Sequence, residues 1–393
     1  MVCTGYKVSD TIRKGIVDPA IYDNSTTELM FGNLAALGGS AAWLLAATFF
    51  KLPISGTHSI VGAMIGFSLV ARGTQGIQWM TLGRIVGSWF ISPVVSGVIS
   101  CGLYLMVRRF ILCKQSPLEA GLRFLPLFYV ATLSLNVFSI VLDGPSLLYL
   151  DLIPWWGSMI LSFGVGLIAG LIVQCVVVPR LRRTTSPSQK AEEMQSFKLT
   201  IIENPLLEKR TTEPLIQHKH IQVVPSGTGY KTTVARSEKA ALDDVSDPPE
   251  VVQLFSFLQI LTATFGSFAH GGNDVSNAIG PLVAIWLIFT EDSVLQNSPT
   301  PAYILLYGGV GISVGLWMWG RRVIKTVGED LTKLTASSGF AIEIGAAFTV
   351  LAASKIGVPI STTHCKVGFI HQFLSSFKIH SSIKFQLVFL IIQ

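Results

Sequence analysis

The sequence predicts an all-α polytopic membrane protein of about 9–10 membrane segments, built as an inverted-topology repeat with broken or re-entrant helices. Three observations predict it. Of the 393 residues, 50% are hydrophobic and only 13% are charged, with a mean hydropathy of +0.56; a soluble domain carries roughly a quarter charged residues. Apolar runs long enough to span a bilayer, about 20 residues each, recur along most of the chain. One phrase also occurs twice, as Leu52-Pro53-Ile54-Ser55-Gly56-Thr57-His58 and as Val358-Pro359-Ile360-Ser361-Thr362-Thr363-His364. The offset is 306 residues, and it also relates Gly62 to Gly368. A proline, hydroxyls and a histidine are costly in an apolar setting, so their duplication points to a paired polar site inside a bilayer.

The apolar runs fall at 29–50, 52–71, 79–107, 124–142, 152–178, 254–289, 302–320 and 338–356. A broken segment follows at 358–373 and a last run at 383–392. The run 52–71 spans only if its Pro-Ile-Ser segment is counted. The run 254–289 exceeds one straight span and carries His270-Gly271-Gly272-Asn273-Asp274 at its centre. Both features predict interrupted helices. Residues 179–253 have mixed charge and few aromatics, which predicts a long disordered loop, a linker in preference to a phosphorylation-controlled segment. The loop divides the chain into an N-terminal transmembrane half, residues 1–178, and a C-terminal half, residues 254–393, whose tail is atypical from 369.

Residues 1–28 contain no signal-peptide h-region. The five cysteines are scattered without a CxxC pair, which supports neither a disulfide framework nor a zinc site. The net charge of +6 fits basic cytoplasmic loops and does not point to nucleic acid. The basic clusters Arg108/Arg109/Lys114/Arg123, Arg180/Arg182/Arg183 and Arg321/Arg322/Lys325 share one side if 254–289 crosses an odd number of times. That side is cytoplasmic by the positive-inside rule, with loop 179–253 on it and residues 1–28 extracellular. Asn24-Ser25-Thr26 is then a glycosylation sequon at Asn24. The same count places the two copies of the motif in opposite membrane orientations.

Asp274 is the only carboxylate between Glu250 and Glu291. A carboxylate at membrane depth costs about 2.5–3.5 kcal/mol on insertion scales, and a cation is its natural partner. Asn273, Ser276 and Asn277 add neutral donors and acceptors, and the glycines permit unwinding that would free backbone groups to contact ions. The competing explanation is a packing network between helices. In the paired motif, Pro359 can open a new helix. Ser361, Thr362 and Thr363, with Ser55 and Thr57 in the first copy, can cap that helix or donate to an anion at its positive end; plain Ser/Thr packing is the alternative. Gly56 stands where the second copy has Thr362. His58 and His364 either titrate near neutral pH or, the favoured reading, fix the broken helix as neutral hydrogen-bonding residues. Glu343, with Leu37 at its counterpart, either binds a cation or shapes the vestibule, and Lys366 is unmatched at Ile60. Trp155-Trp156 and Trp317/Trp319 read as interface anchors. Together these groups suit a small tetrahedral oxyanion carried with a cation. An intramembrane hydrolase is disfavoured, because no nucleophile has a base at helical spacing.

The stretch Ala269-His270-Gly271-Gly272-Asn273-Asp274-Val275-Ser276-Asn277-Ala278 and the two Pro-Ile-Ser-x-Thr-His phrases resemble the inorganic phosphate transporter family, most closely its animal sodium-dependent members. Phe90-Ile91-Ser92-Pro93, Tyr307-Gly308-Gly309-Val310-Gly311 and Gly320-Arg321-Arg322-Val323-Ile324 extend the resemblance over roughly residues 8–368. The resemblance implies symport of inorganic phosphate with sodium ions across the plasma membrane by an elevator-like or rocking movement, in a lipid-embedded homodimer. It implies no enzyme activity and no cofactor, with Na+ as the coupling ion. Phosphate binding then falls to Asn273, Ser276, Asn277, Ser55, Thr57, Ser361, Thr362 and Thr363, and sodium binding to Asp274, Asn273, Ser361 and Glu343. The family carries an Asn-Asp motif in each repeat, and the partner of Asn273 by the 306-residue offset falls before Met1. With the tail departing from the family pattern after 368, this predicts an incomplete form with impaired transport. A non-transporting membrane receptor or scaffold is the alternative.

Overall fold

Backbone in hydrocarbon must satisfy its own N–H and C=O groups, and this chain does so with helices. The computed structural model describes residues 5–52, 54–142, 150–184, 247, 249–320 and 335–366, and no strand occurs among them. The first helix, α1 (Tyr6–Asp10), continues as a π-helical turn, Thr11–Gly15. Then follow α2 (Thr26–Phe49), α3 (Gly56–Arg72), α4 (Trp79–Val107) and α5 (Pro117–Val141). Helix α6 (Trp155–Ile172) runs through a π-helical turn into α7 (Val178–Thr184). Further along the chain come α8 (Pro249–Glu291), α9 (Ala302–Gly315) and α10 (Ala336–Lys355), then a helical turn at 362–366. Among the described residues, 7 helices are long and apolar enough to cross a membrane. The predicted run 383–392, and 358–373 beyond Lys366, lie outside the described residues.

The molecule has two distinct ends. At one, Val107, Ile111, Leu122, Val178, Val251 and Leu254 share an apolar cluster. Arg182 there donates to both carboxylate oxygens of Glu119 at 2.7 and 3.1 Å. The first two basic clusters therefore lie at the same end. Asp247 accepts from the Ser337 amide (2.9 Å) and hydroxyl (2.8 Å), which seats the start of α10 at this basic end. Arg321, Arg322 and Lys325 lie outside the described residues. A second cluster, containing Val8, Ile12, Ile16, Tyr22, Leu29, Ile77 and Ile288, gathers the opposite end.

Each copy of the motif forms the tip of a helical hairpin, and the two hairpins open to opposite ends. Helices α2 and α3 are fastened where they open: Arg72 donates to Glu28 at 2.5 Å and to Ser25 at 2.6 Å, over the ring of Tyr22. Their connection, just beyond Phe50, leads to Ser55, the N-cap of α3. The second hairpin starts from the basic end, where Thr335 and Ser338 form a capping box for α10. It reverses at Gly357, whose φ of +77° only glycine adopts freely. Its returning strand of chain is pinned by Lys366, 3.1 Å from Glu343.

Three expectations are corrected. First, α8 is continuous through Gly271-Gly272, with no interruption at 270–274. A helix interior tolerates each glycine at about 1 kcal/mol. An unsatisfied backbone group in hydrocarbon costs several, so the ladder holds. A single continuous helix crosses once, the odd parity that the charge count required. Second, the loop assigned to 179–253 loses both ends to helix, since α7 reaches Thr184 and α8 begins at Pro249. Apolar runs mark only the hydrocarbon part of a helix, and these two extend past it. Third, residues 1–28 are not wholly an extracellular tail. The Ser276 hydroxyl near the middle of α8 lies 2.7 Å from the Gly5 carbonyl, while Arg13 reaches the Gln296 and Ser298 carbonyls at 3.2 and 3.1 Å. Residues 5–16 thus run beside α8. Val8, Ile12 and Ile16 form a fully buried stripe at helical spacing. The intervening Lys7, Asp10, Arg13 and Lys14 lower the local hydropathy and mask that stripe.

Helix α10 approaches α4 closely because Gly345 faces a row of buried serines, Ser92, Ser96 and Ser100. A Cβ at 345 would collide with the Ser100 hydroxyl and lie 3.0 Å from the backbone of Ser96 and Ser100. Small residues allow such contacts in membranes. Gly345→Val is expected to destabilise the fold by about 1–3 kcal/mol, read as a lower Tm of the detergent-purified protein. An unchanged Tm would contradict this packing.

Candidate functional site

Both hairpin tips meet on the polar face of α8. In a continuous helix Asn273, Asp274 and Asn277 fall within an arc of about 100°, and it is this arc that the tips contact. Asn273 Nδ2 donates to the Ile360 carbonyl at 2.9 Å and to Asp274 Oδ1 at 3.2 Å. Thr57 Oγ1 donates to the same Ile360 carbonyl at 3.0 Å and accepts from Asn277 Nδ2 at 3.0 Å. Thr362 Oγ1 donates to Asp274 Oδ2 at 3.3 Å. Residues from both copies of the motif thereby join one network with the Asn-Asp pair.

The two tips are built alike. The Ser55 hydroxyl oxygen accepts from the His58 amide at 3.3 Å, and that of Ser361 from the His364 amide at 3.2 Å. The first i,i+4 backbone bonds are likewise matched, Ser59 to Ser55 and Cys365 to Ser361, each 3.2 Å. Serine capping leaves the amides of Gly56, Thr57, Thr362 and Thr363 without intrahelical acceptors. The imidazole of His58 packs on Trp89 with ring centres 3.8 Å apart and faces His364 at 4.8 Å, its Nδ1 2.7 Å from Ser55 Oγ. The two histidine rings thus meet where the tips come together.

The site separates its polarities. Asn273 turns Nδ2 toward two acceptors, which fixes its amide orientation. Its Oδ1, and that of Asn277, are buried and accept nothing among the described residues. With the Asp274 carboxylate these are oxygen-only acceptors, the donor set of a hard cation. On the hairpin tips the hydroxyls and leading amides are donors, suited to an oxyanion.

Not every expected residue joins. Ser276 sits across the helix from Asp274, and its hydroxyl lies 2.7 Å from Gly5 O and 2.8 Å from Gly272 O. Glu343 pairs with Lys366 at 3.1 Å, away from the hydroxyls. Thr363 is half-buried beside the network. Asn24 is exposed just ahead of α2. Sequence reasoning missed the central acceptor, the Ile360 carbonyl, because backbone carries no residue signal; the preceding Pro359 was the available clue. It also missed Ser96, whose hydroxyl donates to the Cys365 carbonyl at 2.6 Å. The serine spacing at 92, 96 and 100 could have shown it.

A helical membrane protein with two oppositely directed hairpins meeting at a buried polar centre belongs to the class of membrane carriers. Comparison with known proteins makes this specific. The model of the phosphate transporter family matches residues 1–373, and the chain belongs to that family. It is 38% identical to the sodium-dependent phosphate transporter 1-B of Danio rerio, covering 93% of this chain and 81% of that one. The sodium-dependent phosphate transporter 2 of Bos taurus is also 38% identical, with coverages of 93% and 83%. A solved structure titled "The sodium-dependent phosphate transporter" superposes with a TM-score of 0.71 at 30% identity, covering 99% of this chain and 82% of that chain.

Thr57→Val keeps the side-chain shape but removes the proton held by Ile360 and the acceptor of Asn277. Leaving buried polar groups unpaired costs about 1–3 kcal/mol. A lower Tm in detergent is expected for Thr57→Val and a near-native one for Thr57→Ser. Equal values for the two variants would show that the hydroxyl does not link the tips.

Proposed function

We propose that this chain imports inorganic phosphate across the plasma membrane by symport with sodium. One observation carries the reading: the Asp274 carboxylate and the two unpartnered amide oxygens of Asn273 and Asn277 lie in one buried network with the hydroxyls of both hairpin tips. Sodium would take Asp274 with the free Oδ1 of Asn273 and the Ser361 oxygen. Phosphate would take the hydroxyls of Ser55, Thr57, Ser361, Thr362 and Thr363, the leading amides, and Asn277. A bound cation offsets the repulsion between the Asp274 carboxylate and an incoming oxyanion, which is a physical reason for coupling. Ser276 and Glu343 are assigned supporting roles, Ser276 in holding the chain's first helix and Glu343 in orienting the second hairpin through Lys366.

The basic end faces the cytoplasm by the positive-inside rule. The opening of α2–α3 and exposed Asn24, the proposed glycosylation site, then face outward. Helices α1–α7 and α8–α10 would act as the two halves, joined by the cytoplasmic linker. Exposed Trp156, Ile160, Phe163, Ile168 and Leu171 of α6 form an apolar face for lipid, and a homodimer follows from the family resemblance. In proteoliposomes bearing the purified chain, an inward sodium gradient is expected to drive phosphate uptake, and Asp274→Asn to reduce it to background. Uptake that proceeds equally with sodium replaced by choline would sink the proposal.

A further inference from the structure

A cavity of about 360 Å³ opens beside the second hairpin, lined among others by Lys14, Arg84, Thr11, Thr81, Asp10 and Pro359. It lies toward the end away from the basic clusters, since Lys14 donates to the Gln296 carbonyl at 3.0 Å. Its volume is within the range of small-ligand sites. Its charge is set by which groups are already engaged. Asp10, the one carboxylate on its wall, is held by Arg13 at 2.9 Å and accepts from Thr300 at 3.2 Å. Lys14 uses one ammonium proton on Gln296 and keeps two. Arg84 is exposed and has no ion-pair partner among the described residues. An arginine within a membrane-length helix carries an insertion cost, and its place in the second turn of α4 adds the positive end of that helix to its own charge. Thr81 contributes a hydroxyl from the first turn of the same helix. Thr11 bonds the Gly357 carbonyl at 2.6 Å and so forms the wall shared with the hairpin. Gly357, Val358 and Pro359 line the cavity, and the next residue is Ile360, whose carbonyl holds Asn273 and Thr57.

We propose that this cavity is an outer capture site for a phosphate oxyanion, held by Lys14 and Arg84 before it passes to the deeper centre. The proposal rests on the transport reading above and adds a separate station to it. Free phosphate and a phospholipid headgroup share this chemistry; the position one residue from the central network favours the dissolved ion. A positive cleft with low-dielectric walls raises on-rates by about 10–10³-fold, an effect that salt suppresses.

The test is sodium-driven uptake of inorganic phosphate by the full chain in vesicles of phosphatidylcholine alone and with added phosphatidylglycerol, at low and high ionic strength. The Lys14→Gln/Arg84→Gln variant is expected to raise KM about tenfold at low ionic strength. It should flatten the salt dependence and leave kcat and sodium activation unchanged, with Lys14→Arg/Arg84→Lys restoring KM. The same result in both lipids assigns the site to dissolved phosphate. KM and salt dependence equal to the unsubstituted protein would overturn the proposal while leaving transport intact. So would a variant that changes only the retention of phosphatidylglycerol. If the folded unsubstituted protein takes up no phosphate, the transport reading itself fails and the capture site falls with it.

Discussion

The arrangement depends on one backbone carbonyl, that of Ile360. It lies just past the reversal at Gly357 and ahead of the helical turn at 362–366, so no helix of its own supplies a donor. In a low-dielectric interior an unpaired carbonyl is expensive. Two side chains meet the demand, Asn273 from α8 and Thr57 from the opposite hairpin. Satisfying this atom therefore places three separate parts of the chain at one point. The remaining contacts follow from that placement: Asn277 on Thr57, Thr362 on Asp274, and the His58 and His364 rings side by side. The continuity of α8 matters for the same reason. A helix unwound at Gly271-Gly272 would scatter Asn273, Asp274 and Asn277, whereas a regular one presents them together.

Much of this was legible in the sequence, and the limits have physical causes. The hydroxyl motif, its duplication, and the Asn-Asp pair were visible because polar residues stand out against 50% hydrophobic composition. Helices α2–α6 and α8–α10 were visible as apolar runs. What failed was local judgement of strength. Gly271-Gly272 looks like a break when read by propensity, but in hydrocarbon the intact backbone ladder outweighs two glycines. The first helix was missed because Asp10, Arg13 and Lys14 dilute its hydropathy, although Arg13 is neutralised by Asp10 and two carbonyls once folded. Ser276 was grouped with Asp274 by proximity in sequence; helical geometry sets it on the opposite side, toward Gly5.

The interfaces differ in kind. Where α4 meets α10 and α5 meets α6, backbone approaches backbone: Gly345 sits on Ser96 and Ser100, and Gly166 lies 2.8 Å, by its would-be Cβ, from the Val130 carbonyl. Such contacts are lost steeply with small displacements, so sliding within these pairs is costly. The hairpin tips meet α8 and each other mainly through hydrogen bonds between neutral groups, each worth about 0.5–1.5 kcal/mol net.

That contrast is what a carrier with a central site requires. Its binding centre must be assembled closely enough to strip water from an ion, and its parts must still be able to separate so that the ion can leave. A centre held by close helix packing would stay shut, and one held by exposed contacts would not select. Here Asp274 is engaged through hydroxyl and amide donors and, among the described residues, by no basic residue bonded to it directly. On the proposed function, its charge would be left for a mobile cation to neutralise. Such a cation would strengthen the contacts across the tips when bound and weaken them on leaving, which couples the closure of the centre to its occupancy.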